Sequence, residues 1–232
     1  MTDTPPNTLA ALTAEHRALR DHSAQRAFYD QRLFPALRDA FMAQPGADSP
    51  LTLLILPVSN RYVPVLAAAR WKPQIAYPIY SSRSVEHRPF IEAHLADLGI
   101  ACQGQEVLNI EIEPDRLYAA IKAAIQPYLR AGALNPQIAV DITGGTSVMS
   151  VGAAMAVSLV GGRFFYILSG AQRDDITQRL VGTEEPRPLV DPYAVFGDLD
   201  AAEARRLFAA HDYAGAQRIF ALLGQRVPGE DA

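Results

Sequence analysis

The segment DITGGTSVM at positions 141–149 carries the residue types that bind an anion through the backbone. An apolar run precedes it, Gly144 and Gly145 follow, and a second apolar run begins after Thr146 and Ser147. Glycine permits close backbone approach, and the N–H groups at a helix start attract negative charge. The spacing is neither the three-glycine dinucleotide fingerprint nor the lysine-containing P-loop. A plain strand-to-helix turn needs one Gly and a cap, so the extra Gly and hydroxyls predict a phosphate or ribose cradle.

Two other apolar runs also end in polar side chains. SNRY at 59–62 follows LTLLILPV, and SSRS at 81–84 follows QIAYPIY. Each cluster alone could serve only to cap a helix. Because ligands collect outside the carboxyl ends of parallel strands, the three clusters together predict one site, with Arg61 or Arg83 available to a phosphate. The predicted binding residues are Ser59, Asn60, Arg61, Tyr62, Ser81, Ser82, Arg83, Thr143, Gly144, Gly145, Thr146 and Ser147.

Alternating strand and helix patterns position these clusters. Strands are predicted at 51–58, 74–80, 104–114, 137–142 and 163–168, and helices at 62–70, 85–98, 115–129 and 147–160. Pro78 lacks an N–H, which predicts an edge position or a bulge for its strand. This rhythm predicts an α/β fold: a Rossmann-like, open, mainly parallel sheet with helices on both faces.

The segments around the predicted sheet differ from it in pattern. Residues 8–41 predict two short helices, 172–190 a hairpin or extended arm, and 201–223 two short helices. A lone helical hairpin cannot bury its apolar face without a neighbour. The predicted divisions are a helical extension at 1–48, the Rossmann-like core at 49–170, the arm at 171–198 and the C-terminal helical hairpin at 199–232.

Composition excludes several classes of function. A net charge of −4 gives no overall attraction to long nucleic acids. No apolar run reaches the roughly 18 residues of a membrane span, and no signal pattern is present. The single cysteine, Cys102, fits a reducing cytoplasm, and the histidines show no metal-ligand spacing. We therefore expect a cytoplasmic protein with no metal, no other cofactor and no membrane partner.

An R-x4-H spacing occurs twice, at Arg17 to His22 and at Arg206 to His211. This is the motif of HEPN-type ribonucleases, but the chain has many arginines and the surrounding helical segments are short. Solvated helix residues are the simpler interpretation of both histidines. Nucleophilic catalysis has no support either, because the G-x-S-x-G elbow is absent from the sequence.

The glycine segment resembles the D-x-T-G-G-T-K-x-M turn of CRISPR-associated Rossmann fold (CARF) domains. These domains sense cyclic oligoadenylates in type III CRISPR defence. The later segment VGTEEPRPLVDPYAVFGDLDAAEARRLFAAHDYAGA at 181–216 resembles the tail of one CARF subgroup. The resemblance implies a homodimer that holds a ring-shaped ligand between two glycine turns. By position it assigns ligand contacts to Thr143, Gly144, Gly145, Thr146 and Met149, and to the loop at 59–62.

One departure from the family motif bears on catalysis, because Ser147 stands where the family has lysine. Some CARF domains cleave their ligand with help from that lysine, so its loss weakens transition-state stabilisation and favours binding. The expected function is a sensor of cyclic oligoadenylate, tetra-adenylate first because its two-fold symmetry suits a dimer, and hexa-adenylate second. A C-terminal effector outside this chain is expected. The alternatives are a ring nuclease, an R-x4-H ribonuclease, or a regulator that binds another nucleotide.

Overall fold

A computed structural model describes residues 8–44, 50–132, 137–169, 182–190 and 195–226. In these ranges seven strands form one sheet. They are β1 (Leu53–Val58), β2 (Ile75–Tyr80), β3 (Ala101–Cys102), β4 (Gln105–Glu106), β5 (Ile138–Asp141), β6 (Arg163–Ser169) and β7 (Glu184–Leu189). The order is β3-β2-β1-β5-β6-β7, with β4 also beside β2.

The chain order of the strands reverses at β1. Leu53 pairs in parallel with Ile75 of β2 on one side and with Ile138 of β5 on the other. The chain therefore builds outward from β1 to β2, β3 and β4, then returns to add β5 and β6 on the opposite side. Only β7 is antiparallel among the described strands. The predicted α/β class, a mainly parallel Rossmann-like sheet, is confirmed.

The described ranges contain nine α-helices. They are α1 (Leu9–Ala18), α2 (His22–Phe28), α3 (Phe34–Met42), α4 (Tyr62–Trp71), α5 (Arg88–Asp97), α6 (Pro114–Arg130), α7 (Ser147–Ser158), α8 (Asp198–Ala209) and α9 (Tyr213–Arg226). A π-helical segment, Tyr29–Leu33, joins α2 to α3. The N-terminal segment thus contains three α-helices where two were predicted.

The alternation of side chains along β1 divides the core between two faces. Leu54 and Leu56 pack with residues of α3, α4 and α5, whereas Leu53 and Ile55 pack with residues of α6 and α7. All six residues of β1 are buried, as expected for a strand covered on both faces. The central strand therefore fixes the position of the loop that leaves its carboxyl end.

Pro78 does not mark an edge strand, which corrects one alternative of the prediction. β2 has β1 on one side and β3 and β4 on the other. However, β3 pairs with Ile75 and Ala76 while β4 pairs with Ile79 and Tyr80, so the outer neighbour is interrupted beside Pro78. The missing N–H is tolerated because no ladder bond is required on that side.

The predicted strand at 104–114 is wrong over most of its length. Only Gln105–Glu106 pairs with β2. The chain then turns at Asn109, whose φ is 62°, and the Asn109 carbonyl accepts bonds from the N–H groups of Ile112 and Glu113. Ile110 is fully buried and holds this turn against the core. The alternation of apolar and polar residues here therefore belongs to a turn and not to a half-exposed strand.

The C-terminal hairpin consists of α8 and α9, close to the predicted bounds. The two helices pack on each other, with Ala204 and Ala216 buried. Phe208 and Leu222 remain exposed. The predicted arm is described only from residue 182 onward, where β7 pairs with β6, and its earlier part lies outside the described residues. Within the described ranges, every helix is too short or too polar to cross a membrane.

Candidate functional site

A cleft of about 230 Å³ lies at the carboxyl ends of β1, β2 and β5. This is the point where the winding of the sheet reverses, the usual ligand position in open α/β sheets. It is lined by Val58, Ser59, Ser81, Arg83, Ser84, Glu111, Thr146 and Met149. The structure thus brings all three predicted polar clusters to one cleft. That these residues bind a ligand stays a prediction.

The end of β1 is hydrogen-bonded to the glycine turn. The N–H and the hydroxyl of Ser59 both donate to the Gly144 carbonyl, at 2.7 and 2.6 Å. A Cβ atom on Gly144 would lie 2.8 Å from the Pro57 carbonyl oxygen, and one on Gly145 would lie 2.9 Å from the Pro57 Cβ. Neither glycine has a positive φ. The pair is therefore required for close contact with β1 rather than for left-handed backbone.

The helix that follows the glycine turn points its N-terminus at the cleft. The Thr146 hydroxyl caps α7 by accepting from the Met149 N–H at 3.4 Å, and both residues line the cleft. The N–H groups of the first turn, including those of Ser147 and Val148, have no acceptor within the helix. They and the helix dipole favour an anion at this end. The Ser147 side chain is exposed and does not line the cleft.

The loop after β2 contributes a cation and two buried hydroxyls. Ser81 and Ser84 cap each other: the Ser81 N–H donates to the Ser84 hydroxyl at 2.9 Å, and the Ser84 N–H to the Ser81 hydroxyl at 3.2 Å. This turn leaves Arg83 exposed at the cleft wall. Arg83 is the guanidinium that lines the cleft. Ser82 is exposed and lies outside the lining.

The other predicted arginine, Arg61, points away from the cleft lining. Its guanidinium forms an ion pair of 2.6 Å with Asp30 and lies 4.7 Å from the centre of the Phe90 ring. The Tyr62 hydroxyl also donates to Asp30, at 2.8 Å. Asn60 caps α4, because its side-chain oxygen accepts from the N–H groups of Tyr62 and Val63. In this structure the loop at 60–62 contacts the N-terminal segment, because Arg61 and Tyr62 both bind Asp30.

Thr143 and Asp141 form hydrogen bonds that hold the glycine turn in place. The Thr143 hydroxyl accepts from the Ile167 N–H at 2.7 Å, and the Thr143 N–H donates to Asp141 at 2.9 Å. Asp141 is 1% exposed. Burial raises the pKa of Asp141 to about 6, although donors on Thr143 and Trp71 act in the opposite direction. The structure gives Thr143 an internal partner, and its role as a ligand contact remains a prediction.

Sequence reasoning missed Glu111, a carboxylate in the cleft lining. The alternation of apolar and polar residues over 104–114 predicts a strand and does not indicate the turn that carries Glu111. The useful signal was Asn109, since asparagine adopts left-handed backbone more readily than most residues. Val58 and Ser84 are the other lining residues beyond the predicted set.

The described contacts of the second R-x4-H pair are with residues close in the sequence. Arg206 is paired with Glu203 at 2.7 Å, and the His211 Nδ1 atom lies 3.0 Å from the Tyr213 hydroxyl. His22 is exposed at the first residue of α2. In the part of the chain that the structure describes, no three His, Cys, Asp or Glu side chains are grouped as a metal site requires.

Comparison with known proteins gives a likeness of fold. No family model and no curated protein matches the chain. Solved structures do match, among them Csm6 of Enterococcus italicus bound to cyclic hexa-2′-fluoro-hexa-dAMP, at a TM-score of 0.54, 11% identity and 75% of this chain. Can2 of Sulfobacillus thermosulfidooxidans in complex with cyclic tetra-adenylate matches at 0.45, 16% and 75%. A type III CRISPR defence DNA nuclease activated by cyclic oligoadenylate matches at 0.42, 14% and 96%.

This chain accounts for about half of two of those proteins. The match covers 50% of the Csm6 chain and 48% of the Can2 chain. It covers 41% of the CRISPR defence nuclease. At 11% identity, the likeness to Csm6 shows the fold alone.

Proposed function

We propose that this chain is a CARF-type sensor that binds cyclic oligoadenylate in the cleft at the ends of β1, β2 and β5. The observation that carries the proposal is the convergence of Arg83 and the N-terminus of α7 on one cleft at the switch point of the sheet. Both features favour phosphate, and the serine and threonine hydroxyls around them suit ribose and phosphate oxygens. From the CARF-like segment, Thr146 and Met149 line this cleft, and Gly144 is hydrogen-bonded to Ser59 of the lining.

The size of the cleft favours a ligand shared between two copies of the chain. Its volume is about 230 Å³. Pockets that enclose a small-molecule ligand usually measure about 300–1,000 Å³. One protomer therefore offers room for part of a ring of nucleotides. A two-fold arrangement with the clefts facing each other would enclose the whole ring.

An exposed apolar surface next to the cleft fits this arrangement. Val151 and Met155 of α7 and Leu159, its C-cap, are 55%, 57% and 57% exposed at a spacing of four residues. Leu108 and Ile112, in the turn before α6, are 58% and 74% exposed. The two groups flank the contact between Gly152 and Pro114. Such a patch typically marks an interface, and we assign it to a second copy because it adjoins the proposed ring site.

The proposed mechanism is a shift between two dimer arrangements. A ligand that bound both arrangements equally would change nothing, so the ring must bind one of them more tightly. The change from one dimer arrangement to the other would reposition α8 and α9, and any effector attached to them. Cleavage of the ring is not part of the proposal, because Ser147 supplies no cation where the family has lysine.

The first experiment is calorimetry with cyclic tetra-adenylate and cyclic hexa-adenylate, with AMP, ATP and NAD as competitors from other nucleotide classes. We expect binding of one ring per two chains, tighter for the tetra-adenylate. Absence of heat with either ring would contradict the proposal, and preference for a mononucleotide or dinucleotide would favour a different regulator. Incubation with labelled ring, followed by chromatography, separates binding from cleavage.

The second experiment tests the dimer. Met155→Glu places a charge on the exposed patch without disturbing the core, whereas Leu222→Glu does the same on α9, where Leu222 is 65% exposed. Light scattering should show a monomer for the first variant and an unchanged dimer for the second. Ring affinity should fall at least tenfold only in the first. A monomeric wild-type protein in the presence of ring would overturn this part of the proposal.

A further inference from the structure

Glu111 brings a negative charge into a cleft whose other features favour anions. Before Glu111, Ile110 is buried and Asn109 has a φ of 62°. After it, the N–H groups of Ile112 and Glu113 donate to the Asn109 carbonyl and close the turn. Glu113 then leads directly into α6, which packs on α7. The position of Glu111 at the cleft is therefore set by the fold rather than by a freely moving loop.

The two charged residues of the lining are Arg83 and Glu111. Within the described ranges neither forms an ion pair or a side-chain hydrogen bond. The carboxylate is thus not neutralised by the arginine that shares the cleft. Because an ionised carboxylate can only accept hydrogen bonds and repels phosphate, it weakens binding of a bare anion. It strengthens binding only of a ligand that brings a hydrogen-bond donor to it.

We infer that Glu111 is a specificity-determining residue that accepts a hydrogen bond from a donor on the nucleoside. A ring of adenylates offers two such donors, the ribose 2′-hydroxyl and the 6-amino group of the base. With phosphate bound at Arg83 and the start of α7, this contact makes the cleft select nucleotides over inorganic anions. The inference rests on the proposed function, since it assigns one contact within the same site.

The test compares wild type with Glu111→Gln, which keeps the side-chain shape and removes the charge. Each is titrated with cyclic tetra-adenylate, with its 2′-fluoro analogue, and with a ring of purine ribosides that lack the 6-amino group. Fluorine and hydrogen cannot replace the donor. Since hydrogen bonds to a charged acceptor are the strong ones, wild type should bind one of the two analogues about 10- to 100-fold more weakly than the parent ring.

The variant should lose that discrimination. Glu111→Gln should bind the parent ring about tenfold more weakly than wild type does. For the analogue that wild type binds weakly, the affinity of the variant should be at least equal to that of wild type. Its affinity for inorganic pyrophosphate should rise, because repulsion is removed. The analogue that wild type rejects identifies the donor. Glu106→Gln, an exposed carboxylate on β4 outside the cleft lining, is the matched control for net charge.

Three results overturn the inference, and they can be told apart. If Glu111→Gln raised the affinity for all three rings by the same factor, the carboxylate would act only by repelling the phosphate groups. Wild type that binds the parent ring but accepts both analogues equally well would refute the donor contact and leave the proposed function standing. Wild type that binds none of the rings would refute both. Unfolding temperatures of the two variants, expected to equal wild type, verify that the fold is intact.

Discussion

The Ser59 hydroxyl donates a 2.6 Å hydrogen bond to the Gly144 carbonyl, which also accepts the Ser59 N–H at 2.7 Å. One carbonyl oxygen thus joins the end of β1 to the turn after β5. The two residues lie 85 positions apart in the sequence. Since Thr146, the N-cap of α7, lies two residues after Gly144, this bond also sets where the helix N-terminus faces the cleft.

Ser59→Ala should weaken ring binding with only a small loss of stability. It removes the hydroxyl bond and leaves the N–H bond in place, so we expect about 1 kcal/mol of lost stability and a 3- to 10-fold lower affinity, both about the size of one hydrogen bond. Calorimetry and thermal unfolding measure the two effects. Ser23→Ala, at an exposed serine of α2 outside the lining and the predicted binding set, should change neither. Lower stability with unchanged affinity would mean that the bond is only structural.

Gly144→Ala should destabilise the fold itself. The new Cβ would lie 2.8 Å from the Pro57 carbonyl oxygen, a backbone atom of central β1 that cannot move without disturbing the sheet. Overpacking of this kind costs about 1–3 kcal/mol. Urea unfolding measures the change.

Gly224→Ala is the matched control for that glycine. A Cβ on Gly224, within α9, meets nothing within 4 Å. Because alanine favours a helix over glycine, this variant should gain about 0.5–1 kcal/mol. If both substitutions had the same small effect, close contact with β1 would not be the reason for Gly144.

The sequence predicted those parts of the fold that depend on local pattern. The uniformly apolar β1, the cap at Asn60 and the left-handed Gly99 that ends α5 each leave a signal within a few residues. The convergence of the three polar clusters on one cleft was predictable for a similar reason. Parallel strands must all end at one edge of the sheet, so their polar ends converge whatever the strand order.

Contacts between distant segments could not be predicted in this way. The role of Arg61 depends on Asp30, 31 residues earlier, so nothing near SNRY distinguishes it from Arg83. Glu111 was hidden because buried Ile110 and its polar neighbours imitate the alternation of a strand. In both cases tertiary packing, rather than local spacing, decides where the side chain points.

Asp141→Asn should remove one pH dependence of stability. Burial raises the pKa of Asp141 to about 6, above the 3.8 of an unperturbed carboxyl group. The folded state therefore binds more protons than the unfolded state between these values, and this group makes the protein less stable as pH rises through about 4 to 6. Relative to the variant, wild type should gain about 1 kcal/mol on going from pH 7.5 to pH 5.

Urea unfolding of the two proteins at both pH values measures this difference. Other carboxyl groups titrate equally in wild type and variant, so their contributions cancel. The asparagine keeps an acceptor for the Thr143 N–H, which limits structural loss. A difference between the two proteins that did not change with pH would show that Asp141 titrates normally in the fold.

The two arginines near the cleft should separate ligand binding from stability. Arg83 lines the cleft without a partner among the described residues, so Arg83→Ala should lower ring affinity about tenfold and leave stability nearly unchanged.

Arg61 is held by Asp30 at 2.6 Å, with their side chains 17% and 25% exposed. Arg61→Ala should therefore cost about 1–2 kcal/mol of stability and change ring affinity less than threefold. Asp30→Asn should reproduce that loss of stability. If Arg61→Ala lowered ring affinity more than Arg83→Ala, Arg61 would have to leave Asp30 when the ring binds, and the N-terminal helices would be released as the ligand enters.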